Sequence, residues 1–254
     1  MFLAALSVCL SGAFAVAAVP RTDTLTIMPL GDSITRGSRS GDAGYRGPLY
    51  TGLTKAGIKV TFVGNSTALD RTRPADAPPT VLPDAQRHHE GHGGYTMRDM
   101  LGNLDGRVRT KESDGSADPG YWLTGNAAVG QPALNPDVIL LMAGTNDIQI
   151  HGLEGIDTTL EHLINKITQL CPDARLIVAT IPPRADNPQR AKAVDTYNKI
   201  VRRKVAAARA AGKKVSLVEM NKGFPSDGLS SDKLHPQMAG YAWMAERWQT
   251  ALRK

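Results

Sequence analysis

Residues 25–37 read LTIMPLGDSITRG, and this stretch decides the fold. Leu25–Leu30 is a short apolar run, the composition of a strand buried on both faces in a parallel sheet. The run stops at Gly31-Asp32-Ser33, residue types that favour turns, and a new pattern begins. A strand ending this way lifts the next residues onto the carboxyl edge of the sheet, where open α/β sheets bind their ligands. Ser33 then has two readings: a turn residue, or a hydroxyl held at that edge because it attacks a substrate.

Four further apolar runs repeat the strand signal, at Lys59–Val63, Val138–Ala143, Leu176–Thr180 and Val215–Glu219. Helical stripes lie between the later ones. Leu160, Leu163, Ile164, Ile167 and Leu170 share one face, as do Val194, Tyr197, Ile200, Val201 and Val205, with Gly212 as a stop. A last helix is expected from about Pro236 to the C-terminus. Strands alternating with helices predict an α/β fold, a parallel sheet joined by right-handed crossovers and covered on both faces. Two stretches fall outside this scheme: Thr67–Gly94, rich in Pro, Asp and His, and Asn103–Pro136, rich in Gly, Asp and Asn. Loops this long are often functional.

The chain has 254 residues, 41% hydrophobic and 21% charged, enough for one α/β domain with a sizeable core. Its formal charge of +6 includes no dense basic block, and Arg202, Arg203, Lys204, Lys213 and Lys214 read as a solvated helix face. With 5% aromatic residues for base stacking, nucleic acid is not an expected partner. Residues 1–18, MFLAALSVCLSGAFAVAA, carry no charge and end in small side chains. They read as a secretory signal too short to span a bilayer, the competing reading being an apolar helix packed on the domain. A secreted protein without stable membrane association, comprising residues 19–254 as one monomeric domain, is expected. Cys9 would leave with the signal, and Cys171, between Leu170 and Pro172, reads as a structural thiol.

A serine becomes a nucleophile only when a base takes its proton, and the base needs an orienting partner. Of six histidines, His162 is helical and His151 lies in an expected loop. Asp232-Lys233-Leu234-His235-Pro236 is more informative: the aspartate can fold back onto the imidazole and leave Nε2 free as a base. The alternative is that Asp232 caps a turn and His235 caps the helix. Gly144-Thr145-Asn146-Asp147 follows a strand, so Asn146 is either a helix cap or an oxyanion donor. In EGHGGYT (residues 90–96) the glycines let the backbone approach a ligand, with the N–H of Gly94 as a second donor and that of Ser33 as a third. His88, His89 and His92 with Glu90 suggest metal ligands, yet their spacing is not HExxH and the glycines indicate a loop. No metal or cofactor is expected. Tyr95, Tyr121 and Trp122 offer stacking surfaces for a non-catalytic carbohydrate-binding protein, although Trp122 also suits an anchor for the long loop.

In this order, GDSIT, GHGGYT, GTND and DKLHP resemble the four blocks of the SGNH hydrolase superfamily, the GDSL-type esterases and lipases. The resemblance runs from about Leu25 to the final helix. It implies Ser33 as nucleophile, His235 as base, Asp232 as its orienter, and Ser33, Gly94 and Asn146 as the oxyanion hole. IMPLGDSIT, GYRGPLY (44–50), FVGN (62–65), HEGHGGYT and LHPQMAGYAWMAERW further resemble carbohydrate esterase family 3, secreted acetylxylan esterases, with Tyr95 standing where tryptophan is common. This closer likeness implies a flavodoxin-like three-layer α/β/α sandwich with about five parallel strands and chemistry that needs no metal. The substrate is then an acetylated polysaccharide or small ester, with Asp32, Arg46, His92, Tyr95 and Trp122 as expected substrate contacts. A lipase or lysophospholipase is the alternative within the superfamily.

Overall fold

The computed structural model describes residues 23–70, 82–112 and 115–254; the expected signal at 1–18 lies outside them. The chain runs β1 (Leu25–Gly31), α1 (Ser33–Arg36), α2 (Arg46–Lys55), β2 (Val60–Phe62), β3 (Glu90–Gly91) and α3 (Met97–Asn103). It continues β4 (Val138–Met142), α4 (Thr145–His151), α5 (Ile156–Leu170), β5 (Arg175–Ala179), α6 (Pro188–Ala210), β6 (Val215–Val218) and α7 (Met238–Leu252). The strands form one sheet in the order β2-β1-β4-β5-β6, with β3 as a second partner of β1. Every pairing is parallel.

The five expected strands are present, and β3 is an addition two residues long. It continues where β2 leaves off: β2 pairs with Leu25–Ile27 and β3 with Leu30–Gly31. Pro29, which has no N–H for a ladder, sits at the break between them. Val138–Met142 is buried at every residue, as a central parallel strand requires. On one face α2 packs against α7; on the other α3, α5 and α6 pack in series. The stripe Leu160, Leu163, Ile164 and Ile167 of α5 is buried, as its spacing predicts.

The helices α1, α2, α3 and α4 have no strong apolar period, and of these only a helix opening near Asn146 was among the readings of the sequence. In α2 only Arg46, Gly47, Leu49 and Leu53 are buried, so periodicity barely marks it. Capping defines α3 instead, where Thr96 and Asp99 form a reciprocal capping box. His151 ends α4 and is not in a loop. The final helix begins at Met238 and not at Pro236, because Pro236 bridges back to Leu229 and closes the loop that carries His235.

The chain order reverses between β1 and β4: β2 and β3 lie to one side of β1, and β4, β5 and β6 to the other. Such a switch point opens a crevice at the carboxyl ends of the two central strands. Gly31 is in register with both Gly91 and Met142, so β1, β3 and β4 end together.

Candidate active site

Ser33 opens α1 directly after β1, and Asp32 caps that helix by accepting the Ile34 N–H at 2.9 Å. Gly37, in the left-handed region at φ 101°, ends it one turn later. Ser33 is thus fixed at the sheet edge with its backbone N–H in the first turn, where no helical acceptor exists. Ser33 Oγ lies 2.9 Å from His235 Nε2, and His235 Nδ1 lies 2.8 Å from Asp232 Oδ2. A carboxylate only accepts, so Nδ1 carries the proton and Nε2 accepts from the serine hydroxyl.

The loop holding this pair is closed by its own backbone and tied to the segment after β5. Ser230 N–H donates to His235 O at 2.8 Å, Gln237 N–H to Gly228 O at 2.9 Å, and Ala185 N–H to Lys233 O at 2.7 Å. Asp232 Oδ1 accepts from the Ser230 hydroxyl and from the N–H groups of Leu234 and His235. Partial burial would raise the Asp232 pKa, but the His235 hydrogen bonds, with those from Leu234 and Ser230, hold it well below the usual carboxylate range. From α7, the Tyr241 hydroxyl donates to Ser38 O at 2.8 Å and ties the C-terminal helix to the Ser33 segment.

Asn146 stands in the first turn of α4 beyond β4, while Gly144 occupies the cap position. Asn146 is therefore not the helix cap. Its Nδ2 donates to Tyr95 O at 2.9 Å, which joins the loop after β4 to the loop after β3. Asp147 makes a second tie by accepting Met97 N–H at 3.1 Å; burial, opposed by that bond, pushes its carboxyl up to about 6. Gly94 has φ 78°, a conformation that favours glycine. Its N–H has no acceptor among the described residues. Ser33, Gly94 and Asn146 thus follow the three strands that end together.

The five expected substrate contacts need correction. Asp32, Arg46, His92, Tyr95 and Trp122 are each 2% exposed or less. Burial, opposed by the Ile34 hydrogen bond, pushes Asp32 up to about 6. Arg46 donates to the carbonyl oxygens of Arg87, Arg36 and Ala68. The Tyr95 hydroxyl and Trp122 Nε1 both donate to Asp118, so Trp122 anchors the long loop and presents no face to a sugar. These side chains support the site from beneath. The histidine cluster is likewise divided: His88 bonds Gly64 O, His89 bonds Ala68 O, and His92 bonds Glu90 and Glu112. Cys171 is a free thiol whose pKa burial raises.

Sequence reading missed Arg39, whose Nε lies 3.1 Å from Asp232 Oδ2, the oxygen that also faces His235. Arg39 holds φ 68°, uncommon for a non-glycine residue. It also missed Glu112 and Asp118, delivered by the 103–136 stretch; their charge within a Gly- and Asp-rich loop was the only local signal.

The chain is similar to known proteins over most of its length. A family model described as the GDSL-like lipase/acylhydrolase family matches residues 30–243. The chain is 26% identical over 234 residues to a multidomain esterase of Ruminococcus flavefaciens, covering 89% of this chain and 28% of that protein. It spans 49% of the length of a second curated relative. Among solved structures, a family 3 carbohydrate esterase of Clostridium thermocellum is 31% identical at a TM-score of 0.66, with 90% of this chain and 94% of that chain covered. A carbohydrate esterase family 3 protein from Talaromyces cellulolyticus shares the fold at 23% identity and a TM-score of 0.66, with 91% and 97% covered.

Proposed function

Because the chain belongs to the GDSL-like lipase/acylhydrolase family, we propose that it is a secreted, monomeric serine esterase that removes O-acetyl groups from acetylxylan-type plant polysaccharide. The observation that carries this reading is the hydrogen-bonded line from Ser33 through His235 to Asp232 at the switch point of the sheet. His235 Nε2 takes the hydroxyl proton as Ser33 Oγ attacks the ester carbonyl, while Asp232 holds the imidazole in the required tautomer. The Ser33 and Gly94 amides and the Asn146 side chain donate to the tetrahedral oxyanion. Collapse breaks the bond to the sugar oxygen, which departs with the proton from His235. Water then attacks the acetyl-Ser33 carbonyl by the same route, releasing acetate and restoring the serine.

Two features support a hydrophilic, polymeric substrate. The side chains of His235 and Asp232 stay 18% and 26% exposed, so an ester on a chain can reach Ser33 without a deep channel. The Clostridium thermocellum relative is named a carbohydrate esterase. The test is acetate release from acetylated xylan, run beside p-nitrophenyl esters of increasing chain length. Acetate release with a preference for acetyl is expected. A preference for octanoyl or longer would instead identify a lipase or lysophospholipase, and xylan binding without turnover of any ester a carbohydrate-binding protein.

A further inference from the structure

The motif EGHGGYT and the long 103–136 stretch, unrelated in sequence, meet beneath Gly94. His92 is stacked on both Tyr95 and Trp122, with ring centroids 4.9 Å and 4.8 Å away, and those two rings lie 6.2 Å from each other. Its Nε2 lies 2.7 Å from Glu90 Oε2 and its Nδ1 lies 3.2 Å from Glu112 Oε1. Each ring nitrogen thus faces a carboxyl group. Burial raises the Glu90 carboxyl, opposed by its bond with His92. With both carboxyls ionised they only accept, so both nitrogens carry protons and His92 is an imidazolium. The other charged and titratable groups around it are Asp118, 3.8 Å from Nδ1, and Arg36 of α1, 2.6 Å from Glu112. His89 lies close behind, and Arg109 lies over the Tyr95 ring. Burial opposes the charge on His92, but the bonds to Glu112 and Glu90 outweigh it and raise the ring to about 10.

The long stretch also grips the backbone next to Gly94. Glu112 Oε2 accepts the Gly93 N–H at 2.8 Å, and Arg109 Nη1 donates to Gly94 O at 3.0 Å. Between those two anchors lies the Gly93–Gly94 peptide, whose plane sets where the Gly94 N–H points. That peptide is the centre of a turn closed by the Tyr95 N–H on His92 O at 3.3 Å. Neither glycine has a side chain to brace it, and the two anchors hold the turn from either end.

We propose that Glu112 and Arg109 are positioning residues for the oxyanion hole, holding the Gly93–Gly94 peptide at both ends against a charged His92 post. This rests on the reading of Ser33 as an esterase nucleophile. The two anchors act through Gly94 and touch no substrate.

Glu112→Gln and Arg109→Ala test it with p-nitrophenyl acetate, beside Ser33→Ala. Misplacing a donor by a fraction of an ångström should lower kcat roughly 10- to 100-fold while KM changes little. Affinity for phenylboronic acid, whose serine adduct is tetrahedral, should weaken in step with kcat/KM. Wild-type kcat in both variants, or reduced kcat with unchanged boronate affinity, would overturn the proposal. If Glu112→Gln fails to fold, Arg109→Ala, at a partly exposed residue, carries the kinetic test alone. Nitrogen-15 NMR of the wild-type histidines at pH 8 gives a readout independent of activity: two protonated nitrogens on His92 are expected, and a bare one would refute the charged post. Full hydrolysis by Ser33→Ala would defeat the esterase reading instead, which separates the two failures.

Discussion

Ser33 has the reactivity of any hydroxyl until His235, 2.9 Å away, accepts its proton. On the proposed mechanism, Ser33→Ala brings p-nitrophenyl acetate hydrolysis to near background, and full retained activity would refute the scheme. Asn146→Ala removes one oxyanion donor and should lower kcat by roughly 10²–10³; an unchanged rate would remove Asn146 from that role. Asp232→Asn leaves the shape but not the tautomer, so kcat should fall by roughly 10³–10⁴ with the fold retained, as checked by circular dichroism. Ser33 and Asn146 were legible as polar groups directly after strands, and Asp232 with His235 by their spacing in the loop before the last helix. Asp32, Arg46, His92, Tyr95 and Trp122 were not legible as buried, because a residue type does not reveal which way its side chain faces. His89 and His92 make the point within one motif. The His89 ring accepts the Gly91 N–H on Nδ1, so it is neutral, and burial lowers its pKa, whereas His92 stands between two carboxylates and is charged.

At the scale of elements, strands were readable because a buried parallel strand is a continuous apolar run. The helices α5 and α6 were readable through their stripes. The short α3 and α4 were not, since their stability comes from caps and from ties such as Asp147 to Met97 rather than from period. The junction between β4 and α4 turns on Gly144. It holds φ 118°, and a Cβ there would meet the Tyr197 ring at 2.4 Å. Gly144→Ala should therefore cost about 1–3 kcal/mol in urea unfolding. Because the same turn aims Asn146, kcat should fall as well; a variant with wild-type stability and rate would show that the turn tolerates a side chain.

For the whole molecule, the buried charge cluster ties stability to pH. The pKa of His92 is raised from 6.5 to about 10 in the fold, so its proton stabilises the protein fully below about pH 6.5. That contribution is lost as pH climbs toward 10, on the order of 1 kcal/mol per pH unit. The urea midpoint should fall between pH 7 and pH 10, and fall less in Glu112→Gln, which removes one of the two carboxylates that hold the proton; a flat wild-type profile would contradict this. By itself the sequence determined the parallel α/β sheet, the edge on which chemistry would sit, and the residue types for acyl transfer. Those follow from local rules, since apolar spacing and turn chemistry act over a few residues of chain. Tertiary structure alone decided the 2.9 Å approach of Ser33 to His235 across 202 positions, that five expected substrate contacts are buried supports, and that the long loop carries Glu112 to Gly93 and Arg109 to Gly94. Packing, which no local pattern encodes, sets those meetings.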